Sequence, residues 1–313
     1  MPGRFQTSQA AGGEILNFIP EDFEGAEILV DGLLGTGLDR PVEGIEAGII
    51  EAIHRYRARG LQHKVNRRTI LSLDLPSGLH ANHGTVLGHA VVADHTITFV
   101  QPKTGLFTGM GPAHAGTVHI ADLSIDADIL EKASPSAILY GWIERAPARR
   151  SPASHKGHFG HILVVGGAPG YSGAARLSGE AALRTGAGLV TIGTHPQHAP
   201  SLNLTRPELM VRGLNEAQDL DPLVDAATVI AIGPGLGPSE WGSALFRRVL
   251  DTTLPLVVDA DALNLLAQNP ERRGNWILTP HPGEAARLLG ISTQAILDDR
   301  LAAAHELSNR FDA

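Results

Sequence analysis

Cysteine is absent from the 313-residue sequence, which excludes disulfide bonds, thiolate metal sites and a cysteine nucleophile. Aromatic residues make up only 4%, and no apolar run approaches the length that spans a membrane. The first residues also lack the charged-then-apolar order of a signal peptide. Together these absences predict a cytoplasmic protein without a membrane partner.

Positive charge is scarce as well, because 25 Lys and Arg residues stand against 33 Asp and Glu residues. The formal net charge is -8, and the one dense basic stretch, residues 145–150, lies in proline-rich sequence. Such a chain is a poor partner for nucleic-acid phosphates, so no nucleic-acid partner is predicted. A homo-oligomer is compatible with the sequence, which does not define the oligomeric state.

Glycine is abundant, with 36 residues, and apolar residues make up 43%, as in an α/β enzyme. Short apolar runs alternate with helical stretches, which predicts two domains of mostly parallel sheet with flanking helices. Residues 1–130 and 154–313 are the predicted domains, and the proline-rich residues 131–153 are the predicted linker. The predicted strands are Ala26–Val30, Thr69–Leu73, Val91–Val100, Thr117–Ala121, Ile162–Val165, Leu189–Ile192, Thr228–Ile232, Leu256–Val258 and Trp276–Leu278.

Residues Lys156 to Thr194 form the best-specified unit, a strand, a glycine turn, a helix and a second strand. Ser172 is the predicted N-cap of a helix over Gly173–Thr185, whose many small residues allow close packing on a sheet. The helical crossover makes the two strands parallel. Since the turn directs free amide groups above the sheet edge, an anionic ligand is predicted there. Further helices are predicted over residues 45–59 and 239–251, with helical spacing over residues 293–310.

Polar residues follow two strands of the predicted first domain. Asp31 and Asp74 each come at a strand end, where ligands bind in an open parallel sheet, although such residues also cap helices. Ser77 is either a ligand or an ordinary turn residue. The glycine-rich loop over residues 35–41 either wraps a nucleotide or turns the chain.

The second domain has its own strand-end candidates. Gly233 to Gly237 contains three glycines and a proline, which indicates special backbone angles or a close approach to the backbone. His281 is held between two prolines and is either a binding residue or a structural histidine. Glu284 either stabilises a helix N-terminus or touches a ligand.

Several familiar motifs are missing. Neither a P-loop nor a regular Gly-x-Gly-x-x-Gly follows any predicted strand, so any phosphate is held by other glycine turns. The pairs His80 with His83 and His195 with His198 have metal-like spacing. Because neither pair has a third ligand in view, no zinc site is predicted.

Long motifs in both halves are similar to those of one known family. The first half contains VDGLLGTGLDRPV and LDLPSGLHANHGTVLGHAVVADHTITFVQPKTGL. The second half contains KGHFGHILVVGGAPGYSGAARLSGEAALRTGAGLV, IGPGLG, VVDADALN and LTPHPGEAARLLG. By these motifs the chain resembles the bifunctional NAD(P)H-hydrate repair enzymes from about Ala26 onward. The resemblance implies a partial Rossmann-like epimerase domain, then a partial ribokinase-like, ADP-dependent dehydratase domain.

The same resemblance implies site residues wherever a motif matches. Asp31 and Ser77 match positions that bind K+ in the epimerase. The hydrate-binding residues of the epimerase match Gly35, Thr36, Gly37, Leu38, Asp39, Arg40, Pro41 and Asp74. The hydrate-binding surface of the dehydratase matches Gly173, Ala174, Gly235, Gly237 and His281.

Some family segments have no match in the sequence. The asparagine- and glycine-rich loop of the epimerase, which supplies a further K+ ligand, has no counterpart before the first strand. The dehydratase segments that carry ADP binding and the catalytic acidic residue would lie beyond Ala313. A chain truncated at both ends is therefore expected, with its catalytic residue unknown and its dehydration activity near background.

The resemblance implies a definite chemistry. The dehydratase transfers phosphate from ADP to the hydroxyl of the hydrated nicotinamide ring, and departure of the phosphate restores the double bond. The epimerase interconverts the R and S hydrates so that both can be repaired. ADP, K+ and Mg2+ are the implied cofactors. Two alternatives stay open: a ribokinase-like small-molecule kinase, and a nucleotide-binding module without catalysis.

Overall fold

The structure is a computed structural model that describes residue 23 and residues 26–62, 68–130, 132–141 and 148–313. Its internal contacts divide the chain into two compact units, residues 1–139 and 140–313. The predicted α/β class is confirmed, because each unit contains a sheet of parallel strands connected through helices. No described helix combines the length and the apolar character needed to cross a bilayer. The predicted domain and linker boundaries stay a prediction.

The first unit contains a parallel sheet of four strands in the order β1-β2-β3-β4. These strands are β1 (Ile28–Asp31), β2 (Thr69–Leu73), β3 (His95–Phe99) and β4 (Thr117–Ala121). Asp31 lies opposite Ser72 in the register, so polar side chains meet at the carboxyl edge. The described helices of this unit are α1 (Gly44–Gln62), α2 (Gly111–His114) and α3 (Ala127–Leu130).

Helix α1 covers one face of the first sheet. Its buried residues Ala47, Ile50, Ile53 and Tyr56 recur every three positions, which places them on one side of a helix. They pack with Ile70 of β2 in one apolar cluster. This core holds the strands whose carboxyl ends carry the predicted site.

The second unit contains a parallel sheet of six strands in the order β10-β9-β8-β5-β6-β7. Its strands are β5 (His161–Val165), β6 (Leu189–Thr194), β7 (Met210–Gly213), β8 (Val229–Ile232), β9 (Leu256–Val258) and β10 (Trp276–Leu278). Its helices are α4 (Ser172–Thr185), α5 (Asp221–Ala226), α6 (Glu240–Leu250), α7 (Ala260–Gln268), α8 (Pro282–Leu289), α9 (Thr293–Asp298) and α10 (Arg300–Phe311).

Helix α4 lies close against the sheet, as its small residues predict. A Cβ atom added to Gly179 would be 2.9 Å from Ile192 Cδ1 on β6, so a larger residue would require the Ile192 side chain to shift. Ala175 is fully buried on the same side. Gly186 ends the helix with a left-handed φ of 114°, also as predicted.

Several predicted elements differ in extent, among them the first strand, which lies over Ile28–Asp31 and not over Ala26–Val30. Strand β3 begins at His95 and not at Val91, because the Val91 amide donates to Ser77 O and the Ala93 amide donates to His114 O. These bonds to loops replace the ladder that a strand would form. Ser172 is the first residue of α4 and not its N-cap, since Tyr171 takes the cap position without a side-chain hydrogen bond.

The carboxyl-terminal helical stretch is interrupted. Residues 293–310 have helical spacing throughout, yet α9 ends at Asp298 and α10 begins at Arg300. Between them Asp299 adopts φ -146° and ψ 87°, and its side chain accepts a hydrogen bond from the Ala302 amide at 2.9 Å. Asp299 therefore interrupts the helix as the cap of a new one, although the apolar spacing continues through it.

Candidate functional sites at the carboxyl ends of the sheets

Asp31 and Ser77 meet at the carboxyl edge of the first sheet. Each is 1% exposed. The Ser77 hydroxyl donates to Asp31 Oδ1 at 2.5 Å, and the Ser77 amide donates to Asp31 Oδ2 at 2.9 Å. Asp31 Oδ2 also accepts from the Ser72 hydroxyl at 2.8 Å, and Oδ1 accepts from the Leu33 amide at 3.4 Å. The four donors fill the roughly four acceptor positions of a carboxylate.

The loop that follows β1 is anchored at both ends, at one end to Ser77 and at the other to Leu87. The Leu34 amide donates to Ser77 Oγ at 2.9 Å, and the Val42 amide donates to Leu87 O at 2.8 Å. Between these anchors the residues over 35–41 are exposed except for the half-buried Leu38. Gly35 and Gly37 lack the left-handed angles that require glycine, and an added Cβ would meet nothing within 4 Å. Turn geometry within the chain therefore does not account for either glycine.

Asp74 follows β2 with a left-handed backbone, at φ 69°. Its amide donates to Ile97 O at 2.7 Å, which fixes the residue against β3. The Lys103 ammonium pairs with its carboxylate from the loop after β3, 29 residues along the chain. Burial raises the pKa of Asp74, but the Lys103 hydrogen bond and the Phe99 amide outweigh burial and leave that pKa below its usual value. Asp74 is thus held as a carboxylate.

In the second unit, the glycine turn after β8 is buried under the turn after β5. The Gly167 amide donates to Pro234 O at 3.2 Å, and the Ala168 amide donates to Gly235 O at 2.7 Å. Gly233, Gly235 and Gly237 have φ angles of 123°, 62° and 73°. The sequence indicated either special backbone angles or a close approach to the backbone at these glycines, and the turn has both. The group that approaches closely is the chain's own backbone.

The start of α4 lies directly over this buried turn. A Cβ added to Gly235 would be 2.6 Å from Tyr171 O and 3.4 Å from Ala174 Cβ. Gly173 and Ala174 are exposed, and a Cβ on Gly173 would meet nothing within 4 Å. The structure therefore brings Gly173, Ala174 and Gly235 together, with α4 presenting the accessible surface.

Two aspartates at this edge were missed as site residues. Asp261 Oδ2 accepts a hydrogen bond from the Gly237 amide at 2.8 Å and so fixes the end of the glycine turn. Asp259 Oδ1 accepts from the Thr279 hydroxyl at 2.9 Å, which links the ends of β9 and β10. The signal in the sequence was the acidic pair in VVDADALN directly after a strand. Ala260, between the two, has a left-handed φ of 47°.

His281 caps helix α8. Its Nδ1 accepts from the Gly283 amide at 3.0 Å, and its Nε2 lies 3.2 Å from Glu284 Oε1. The Glu284 side chain in turn accepts from the His281 amide at 2.9 Å, which completes a capping box. Glu284 is buried and stabilises the helix N-terminus, whereas the His281 side chain is 62% exposed. His281 follows β10, on the far side of β9 from the glycine turn.

The paired histidines do not form a metal centre. The rings of His80 and His83 stack with centroids 4.3 Å apart, and those of His195 and His198 lie 6.3 Å apart. Within the described part of the chain, no three His, Asp or Glu residues come together in a way that could hold a metal ion. The expectation of no zinc site stays a prediction.

Each unit is an α/β fold built on one parallel sheet. In such sheets ligands are expected at the carboxyl ends of the strands. Residues 4–105 match the family described as YjeF-related protein N-terminus, and residues 162–313 match the family described as NAD(P)H-hydrate dehydratase. The chain belongs to the family of bifunctional NAD(P)H-hydrate repair enzymes. The predicted family and fold class are thereby confirmed.

Individual relatives agree with this assignment. The chain is 44% identical over 291 residues to the bifunctional NAD(P)H-hydrate repair enzyme Nnr of Coxiella burnetii, covering 92% of this chain and 57% of the relative. It is 40% identical over 307 residues to the Nnr enzyme of Escherichia coli, covering 96% of this chain and 56% of the relative. The chain thus spans a little over half the length of these relatives.

One similar solved structure is an ADP/ATP-dependent NAD(P)H-hydrate dehydratase from Bacillus subtilis, co-crystallized with ATP and Mg2+. It is 32% identical, with a TM-score of 0.47, and the match covers 55% of this chain and 62% of that chain.

Proposed function

We propose that this chain acts in the repair of hydrated nicotinamide nucleotides. In this proposal the first unit interconverts the R and S epimers of NAD(P)H hydrate. The second unit takes part in the ADP-dependent dehydration of the S epimer back to NAD(P)H. The observation that carries the proposal is the order of the two family matches, one on each parallel-sheet unit.

The open glycines of the first unit support a bound nucleotide there. Gly35 and Gly37 leave backbone exposed without a conformational reason of their own. A ligand that contacts the main chain supplies that reason, so the nucleotide interpretation of the loop is favoured over the simple turn. Leu38, Asp39, Arg40, Pro41 and Thr36 share the exposed or half-exposed loop and stay predicted hydrate-binding residues.

Helix α4 supports an anionic ligand in the second unit. Its first turn carries the small, exposed residues Gly173 and Ala174, so a ligand can approach the amides at the helix start, of which the Ala174 amide donates to Tyr171 O at 3.3 Å. Phosphoryl transfer depends mainly on positioning and on stabilisation of charge, which such amides provide. The described residues supply a binding surface, and the base that activates the hydroxyl stays unassigned.

The proposed cofactors differ in whether residues of this chain are assigned to them. ADP is the proposed phosphate donor and Mg2+ its accompanying ion, with no residue of this sequence assigned to either. Oxygen atoms of Asp31 and Ser77 suit an alkali cation by their chemistry, but the Asp31 carboxylate already accepts four hydrogen bonds. K+ at this pair would have to replace one of those donors. No step of the proposal depends on it.

The test compares ligands on purified residues 1–313. Calorimetry measures the affinity for NADH hydrate, NADH and a panel of sugars, while absorbance follows the ADP-dependent recovery of NADH and chiral chromatography follows epimer exchange. We expect selective binding of the hydrate. Gly37→Ala in the first unit and Gly173→Ala in the second are expected to weaken it separately.

Each rival predicts a different outcome. Preferential sugar binding, with phosphorylation, would favour a small-molecule kinase and overturn the proposal. Hydrate binding without epimer exchange or dehydration would favour a nucleotide-binding module. Clear ADP-dependent turnover would contradict the expectation that dehydration is near background in residues 1–313.

A further inference from the structure

The carboxylate of Asp74 is bonded on one side only. Its Oδ1 accepts from the Thr98 hydroxyl at 3.2 Å, from the Phe99 amide at 3.1 Å and from the Lys103 ammonium. Its Oδ2 accepts no hydrogen bond from any residue that the structure describes. The side chain is 23% exposed, so this second oxygen belongs to a group that solvent and ligands reach.

Lys103 is itself fixed at two points. Its Nζ donates to Phe99 O at 2.8 Å as well as to Asp74, and the side chain is only 20% exposed. Because Phe99 is the last residue of β3, this contact ties the ammonium to the sheet edge. An ammonium held in this way restrains the torsion of the neighbouring carboxylate far better than a solvated lysine would.

Backbone geometry adds to this restraint. The left-handed angles of Asp74 are uncommon for a residue with a side chain, and they turn its carboxylate toward β3 and the loop that carries Lys103. Within the described residues, Lys103 is the charged group that faces Asp74, while Thr98 and Phe99 supply neutral donors. This arrangement anchors Asp74 Oδ1 and leaves Asp74 Oδ2 available to a ligand.

We infer that Lys103 is a positioning residue of the hydrate site, which holds Asp74 so that its Oδ2 accepts a hydrogen bond from a hydroxyl group of the nucleotide. This inference rests on the proposed function of the first unit. Two hydroxyl sources share this chemistry, the ribose of the nucleotide and the hydrated nicotinamide ring. NADH has the first source without the second, so the two can be separated.

The binding test uses residues 1–313 with Lys103→Met, Lys103→Arg and Thr98→Val at pH 7.5. Removal of the charged donor is expected to weaken NADH-hydrate binding by about tenfold or more, the usual effect of a charge-assisted hydrogen bond. Lys103→Arg is expected to retain most of the affinity, because it keeps a charged donor. Equal weakening for NADH would assign the hydroxyl to the ribose, and weakening confined to the hydrate would assign it to the ring.

A second measurement needs no ligand and reports on Asp74 directly. Carbon-13 NMR of protein labelled at Asp carboxyls, with Asp74→Asn assigning the signal, follows its titration. Lys103 lowers the pKa of Asp74, so Lys103→Met is expected to move its titration to higher pH, whereas Thr98→Val moves it less. This order would show that the Lys103 ammonium acts on the Asp74 carboxylate itself, and the loss of hydrate affinity in the binding test separates a positioning role from a purely structural one.

The outcomes separate the inference from the function on which it rests. Wild-type affinity and wild-type Asp74 titration in Lys103→Met would overturn the positioning role. If that variant does not fold, Lys103→Ala decides in the same way, since it also removes the charged donor. Absence of hydrate binding by the unmodified protein would instead contradict the proposed function.

Discussion

His281 caps helix α8 and leaves most of its side chain exposed. Its ring already accepts the Gly283 amide and pairs with Glu284, yet most of the side chain is exposed. The sequence indicated that His281 is held rigidly, but it did not distinguish a structural role from a binding role. Both roles require the ring at the same position. Only the three-residue reach to Glu284 gave a sign of the capping box.

Substitution at His281 separates these two roles. His281→Asn keeps an N-cap acceptor and is expected to leave the free energy of unfolding nearly unchanged, whereas His281→Ala is expected to lose about 1 kcal/mol. If the ring contacts the hydrate, both variants bind it more weakly. Denaturant unfolding and calorimetry measure the two quantities. Wild-type hydrate affinity in His281→Asn would leave the residue with its capping role alone.

At the scale of secondary structure, apolar runs bounded by turn residues predicted the buried strands well. Thr69–Leu73 and Leu256–Val258 are confirmed to the residue. Strand β7 was missed, because Met210–Gly213 is a four-residue edge strand without an apolar run. The candidate site follows the same rule. Residues at strand ends could be predicted from the local sequence, but the pairing of Asp74 with Lys103 arises only because β2 and β3 lie side by side.

Two glycines, Gly235 in the turn under the start of α4 and Gly173 in the first turn of that helix, are expected to respond oppositely to alanine. Gly235→Ala adds a Cβ 2.6 Å from Tyr171 O in a left-handed turn, so it should destabilise the second unit by more than about 1 kcal/mol. Gly173→Ala has open space and helical angles, so stability should hold or rise by up to about 1 kcal/mol. Thermal unfolding measures both. If Gly173→Ala destabilised the protein as strongly, the exposed position of that residue would be wrong.

At the scale of the whole molecule, each unit carries its own hydrophobic core. Ile50 and Ile53 belong to a cluster of the first unit, while Leu245 and Leu263 belong to a cluster of the second. The sequence predicted this division from a change in composition around the prolines. The predicted bounds, residues 1–130 and 154–313 with a linker over residues 131–153, stay a prediction.

A substitution that distorts one unit is expected to accelerate hydrogen exchange mainly in that unit. Gly78→Ala would place a Cβ 1.8 Å from His89 O, and Gly233→Ala would place one 1.8 Å from Asp259 O. Hydrogen exchange followed by mass spectrometry is expected to accelerate in residues 68–130 for Gly78→Ala and in residues 161–289 for Gly233→Ala. Uniform acceleration along the chain in either variant would contradict two separate cores.

The open glycines over residues 35–41 have a consequence for variation at this site. A surface that binds through main-chain atoms has no functional group to remove, so every replacement at Gly35 or Gly37 adds atoms to it. In a saturation library selected for hydrate binding, such positions should reject small, large, polar and charged residues alike. Lys103 should instead accept its chemical equivalent, arginine. The pattern of tolerated residues would thus distinguish binding by backbone from binding by side chain without any further structure.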